Sequence, residues 1–150
     1  MRDRICPPRD LEGPVLDKLK DTEIFATKQK GMMFAAALGF RVRGKTSPIG
    51  DEFSPGEGIR LEYFERPRDD GFIDALAVAA TGSLEILAEG RQEERLDLFE
   101  RYAAVGLAEM KKRLIDVAAT PFDATLALLD DLTAKRDSPA NVLPGLTDLI

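Results

Sequence analysis

QEERLDLFERYAAVGLAEMKKRLIDV, residues 92–117, is the longest helical pattern in the chain, and its reading sets the fold class. Leu96, Phe99, Ala103, Leu107, Met110 and Leu114 step by three or four, which places them on one apolar stripe of a helix. Asp97 with Arg101 and Glu109 with Arg113 are i,i+4 pairs in the favourable order on the wet side. Gly106 weakens such a helix by about 1 kcal/mol relative to alanine. Its presence predicts a second helix passing close by.

Helical signals continue on both sides of this stretch. Thr120-Pro121-Phe122-Asp123 supplies an N-cap, a first-turn proline and an acidic third position, and predicts a helix to about Leu132. Phe122, Leu126 and Leu129 are expected to face the core. Upstream, Asp69 or Asp70 caps a helix carrying Phe72, Ile73, Leu76, Ala79 and Ala80 that ends at Thr81-Gly82, and a short turn follows over 83–87. Thr27 to Leu38 reads as a helix with Met33, Phe34, Ala37 and Leu38 as its stripe and Gly39 as C-cap. A short helix near Pro14 carries Val15, Leu16 and Leu19.

Two stretches alternate with period two, Phe40 to Arg43 and Ile59 to Phe64, and are expected to pair as an antiparallel ribbon. The loop between them, 44–58, holds four glycines and two prolines. The expected fold is mostly α: a compact helical domain with a small two-stranded antiparallel ribbon (α+β). It divides into an N-terminal arm (1–10), one helical domain (11–133, ribbon near 40–64) and a C-terminal tail (134–150). The length suits a single core.

Composition excludes much chemistry. The chain has no histidine, and Cys6 is its one cysteine. An internal disulfide, a zinc site of the usual Cys/His kind and histidine-dependent nucleophilic catalysis are therefore ruled out. Cys6 sits in a Pro-rich leader with no base beside it and reads as an inert thiol. No apolar run reaches bilayer length and no apolar leader precedes the arm, so an intracellular, cytoplasmic protein is expected. No catalytic residue, metal or cofactor is expected.

Charge is segregated. The net balance is −6, yet residues 28–50 carry Lys28, Lys30, Arg41, Arg43 and Lys45 and no acid. With Arg60 across the expected ribbon, these side chains are candidates for contact with a phosphodiester backbone. A solvated face paired with Asp51, Glu52 and Glu62 is the structural alternative, and an acidic protein partner would use the same charges. Gly39 to Thr46 also matches G-x-x-x-x-G-K-[ST]. A working phosphate loop needs a strand before it and a helix after it. Here a helical pattern precedes it, and Pro48 and Gly50 prevent a helix from following, so the match reads as coincidental.

Asp51-Glu52, Asp69-Asp70 and Asp130-Asp131 read as structural acids, and Glu109-Met110-Lys111 lies in a helix where a nuclease core needs a strand. The aromatic residues, Tyr63 among them, are expected mainly on core faces, with no platform for stacking bases. The tail is apolar at Val142, Leu143, Leu146, Leu149 and Ile150. It either folds back on its own domain or enters a groove of a partner.

The phrases Phe34-Ala35-Ala36-Ala37-Leu38-Gly39-Phe40, Ile59-Arg60-Leu61-Glu62-Tyr63-Phe64, Ala79 to Leu87 and Phe99 to Leu107 together resemble the fourth accessory family of DNA phosphorothioation-associated proteins, named for the dnd sulfur-modification clusters. The likeness spans about residues 25 to 112. It implies a place beside machinery that puts sulfur into bacterial DNA and beside restriction partners that attack unmodified DNA, phage DNA included. It carries no catalytic residue over to this chain. The expected function is a non-enzymatic accessory subunit of such a modification and restriction system. It would contact DNA backbone, or a protein of the system, through Lys28, Lys30, Arg41, Arg43, Lys45 and Arg60. An adaptor working through the apolar tail is the alternative, and nucleotide binding at 39–46 a remote third.

Overall fold

The computed structural model of the chain describes residues 2–45 and 53–136. In chain order its elements are β1 (Arg4–Ile5), α1 (Arg9–Leu11), a wider π-helical turn (Glu12–Asp17), α2 (Lys18–Asp21), α3 (Lys28–Arg43), β2 (Ile59–Arg60), α4 (Glu62–Glu65), α5 (Asp70–Thr81), a 3₁₀ turn (Leu84–Leu87), α6 (Gln92–Met110), a π-helical continuation (Lys111–Ile115) and α7 (Pro121–Arg136). The fold is mostly α with one two-stranded antiparallel sheet. Among the described residues no helix is long and apolar enough to cross a membrane.

The stripe on α6 is buried as the sequence predicts: Leu96, Phe99, Ala103, Leu107, Met110 and Leu114 are each at most 2% exposed. Phe99 meets Phe64 and Phe72 edge to face at 5.8 and 6.2 Å, which joins α4 and α5 to the core. The neighbour anticipated from Gly106 is α3. A methyl group on Gly106 would collide with the carbonyl of Ala35, and one on Gly39 with the carbonyl of Tyr102. Ala35, Ala36 and Ala103 are fully buried, so small residues let the two helix backbones approach closely.

This crossing corrects the reading of 39–43. Gly39 is interior to α3 rather than its cap, and Phe40 to Arg43 are its last turn rather than a strand. Gly44, at φ +68°, ends the helix, and its carbonyl accepts a hydrogen bond of 2.7 Å from Tyr102 Oη. The alternation Phe40-Arg41-Val42-Arg43 is too short to distinguish two periods, and packing of Gly39 and Phe40 on Tyr102 decides for the helix. A phosphate loop at 39–46 loses its basis too, because Gly39 to Arg43 are helical and their chain comes from a helix.

The strand partner of Ile59-Arg60 is the segment expected as a loose arm. Arg4 stands opposite Arg60 and Ile5 opposite Ile59. Leu61 N donates to Asp3 O at 2.8 Å, extending the ladder. Ile5 is fully buried, and Glu100 of α6 accepts bonds from Arg2 and the Cys6 amide. The predicted strand 59–64 is also shorter, because Leu61 and Phe64 enter the core three residues apart and draw 62–65 into a helical turn.

Two further expectations change. Phe122, Leu126 and Leu129 are 63%, 46% and 41% exposed, while Ala124 and Leu128 face inward. Positions two apart on a helix differ by about 200°, so choosing Ala124 for the core puts Phe122 outside. Asp69 makes no side-chain cap to α5; its carboxylate holds Gln29 and Lys30 of α3 instead.

Candidate functional site

At the start of α3 the chain encloses a cavity of about 430 Å³. Four cations line it, Arg4, Lys20, Lys28 and Arg60, with Tyr63, Ile59 and Gly58 among the other walls and no acid among the lining residues. Four separate stretches of the sequence meet here: β1, α2, the start of α3, and residues 58–63 of β2 and α4.

Local sequence explains each position. Thr27 caps α3 by accepting from the Lys30 amide at 3.2 Å, and Lys28 and Gln29 of the first turn line the cavity. That end of the helix carries positive potential. In the ribbon the two isoleucines point into the core, so Arg4 and Arg60, directly opposite each other, share the outer face. Like charges so placed oppose pairing.

A buried carboxylate braces two of the lining residues, Lys28 and Gly58. Glu12 accepts from the amides of Glu57 at 2.9 Å and Gly58 at 2.8 Å and from Lys28 Nζ at 3.1 Å. Burial raises the Glu12 pKa, but the Gly58 amide, the Lys28 ammonium and the Glu57 amide outweigh it and hold the carboxyl below its ordinary value. For Lys28 burial works downward, and Glu12 and then Asp17 outweigh it, so its pKa is raised and it stays cationic. Gly58 lies at φ +81°, and a Cβ there would press on the Ile5 carbonyl and the Cys6 sulfur, so only glycine fits. Burial and Glu100 push the Cys6 thiol up, in keeping with an inert side chain.

The six cations singled out from the sequence do not form one patch. Lys28 and Arg60 share the cavity. Lys30 does not line it and pairs with Asp69 at 2.8 Å. Arg41, Arg43 and Lys45 are exposed at the other end of α3, about 20 Å away at 1.5 Å per residue. There Arg41 Nη2 donates to the Leu132 carbonyl at 2.9 Å, tying α3 to α7. Lys28 also contacts Asp17 at 3.3 Å, and Arg60 lies 3.5 Å from Glu62 in an exposed pair. The cations that sequence reasoning missed are Arg4 and Lys20, neither of which has an ion-pair partner among the described residues. The signal for Arg4 was its neighbour Ile5, an apolar residue with no reason to sit in a free arm. Tyr63, expected on a core face, is 48% exposed at the cavity.

The tail residues Val142, Leu143, Leu146, Leu149 and Ile150, and the acids Asp51 and Glu52, lie outside the described residues. Among the described residues no group of three or more Cys, Asp or Glu side chains is arranged to hold a metal.

A family model described as DNA sulphur modification system-associated protein 4 matches residues 4–142. The match takes in β1 and every cation of the cavity. Among curated proteins and solved structures nothing matches the chain.

Proposed function

Because the chain belongs to the DNA sulphur modification system-associated protein 4 family, we propose that it serves that system as a non-catalytic accessory subunit that holds DNA by its phosphates at the start of α3. One observation carries this reading: four cations converge on a single cavity, and although Lys28 is paired with Glu12 and Asp17 and Arg60 with Glu62, Arg4 and Lys20 have no ion-pair partner among the described residues. Lys28 is fixed by Glu12, and the start of α3 adds positive potential. Arg41 and Arg43 in the last turn of α3, with Lys45 just past its end, give a second cationic group. Contacts of this kind position a protein on the backbone and read no sequence.

Titrating a labelled DNA duplex at two salt concentrations tests the reading. Binding is expected to weaken steeply with salt, by a log–log slope of about 0.9 for each phosphate neutralised. Lys20→Glu with Arg60→Glu should abolish it, and Arg41→Glu with Arg43→Glu should weaken it less. Unchanged affinity in the first variant refutes the site.

A second reading, an adaptor for a protein component of the same system, has its own observation. Phe122, Leu126 and Leu129 form an exposed apolar stripe at i, i+4 and i+7 on α7. Co-purification with the system's components that is lost in Leu126→Glu, without any DNA binding, would favour it.

A further inference from the structure

We infer that the occupant of the cavity is an unstacked nucleotide, its phosphate held by the cations and its base laid against Tyr63; this rests on the nucleic-acid reading above and specifies its ligand. A duplex shows phosphates on a convex ridge and keeps its bases inside. The cavity is concave, and about 430 Å³ is within the range that takes a small organic group. Phosphate alone requires only cations. Here the half-exposed Tyr63 lines the same cavity as Arg60, so charge and an aromatic stacking surface share one space. That combination suits single-stranded nucleic acid, where bases stack on aromatic rings or guanidinium planes while cations follow the backbone. Thr27 and Gln29 line the same space with their side chains engaged elsewhere, the Thr27 hydroxyl by the Lys30 amide and the Gln29 amide by Asp69.

The shared chemistry is a phosphate bearing a base, which a DNA strand or a free nucleotide can supply. Fluorescence anisotropy on the intact chain separates the sources, using a labelled single strand, the same sequence as a duplex, and dAMP and inorganic phosphate as competitors. The single strand is expected to bind about tenfold more tightly than the duplex, the gain from one stacked base. Tyr63→Ala should erase that margin without changing duplex binding, and Tyr63→Phe should keep it. Lys112→Ala, an exposed cation on the π-helical continuation, should change neither. A strand far tighter than dAMP identifies a strand as ligand, and equal affinities identify a free nucleotide. If duplex and strand bind alike and Tyr63→Ala is silent, or inorganic phosphate competes as well as dAMP, the inference fails while backbone contact stands. If neither nucleic acid binds, both fall.

Discussion

Arg4 and Arg60 face each other across the shortest possible ribbon, and their repulsion works against the pairing that Ile5 and Ile59 secure in the core. Replacing Arg60 by threonine, a good strand former, is expected to raise stability by a few tenths of a kcal/mol and to weaken nucleic-acid binding. Thermal unfolding and titration on the same variant check both signs, and the exposed contact with Glu62 at 3.5 Å offsets little of the gain. Glu12 is the opposite case, a charge retained because it is satisfied. Its folded-state pKa lies below the ordinary value, so its stabilisation is complete above the ordinary carboxylate range and is lost as pH falls through the lowered pKa. Glu12→Gln should cost about 2 kcal/mol near neutrality, with the gap to the parent closing in acid. Denaturant midpoints across a pH series measure this, and a gap that stays constant into acid would contradict it.

At the scale of elements, the α3–α6 crossing organises the molecule, and glycine makes it possible. Gly106→Ala should destabilise by about 3 kcal/mol, the upper end of the usual overpacking cost, although alanine is the better helix former by about 1 kcal/mol. Gly71, near the start of α5, has nothing within 4 Å of a Cβ, so Gly71→Ala should stabilise by up to about 1 kcal/mol. Equal effects of the two substitutions in denaturant unfolding would refute the packing account. Much of this level was legible in the sequence. The α6 stripe, the Thr120 cap, the Gly82 stop and the close neighbour at Gly106 all follow from spacing and residue chemistry. What failed had a common physical cause: several short segments satisfy two patterns at once, and long-range contacts choose between them. Phe40 to Arg43 alternates yet finishes a helix, Arg4-Ile5 is too brief to show a period, and α7 turns Ala124 and Leu128 inward rather than Phe122, Leu126 and Leu129. Candidate site residues suffered for the same reason. Half the cavity's cations come from segments 40 or more positions from the other half's strand, Arg60, and no local pattern unites them.

For the whole molecule, a net charge of −6 repels polyanions at long range, so any attraction is confined to where cations converge. Added salt weakens both effects, and the local attraction decides affinity at short range. Backbone-amide NMR mapping with a short single-stranded oligonucleotide tests that claim most directly. Shifts are predicted at Arg4, Lys20, Thr27 to Gln29 and Gly58 to Tyr63, around one cavity. Shifts confined to Arg41 to Lys45 or to α7, or none at all, would contradict it.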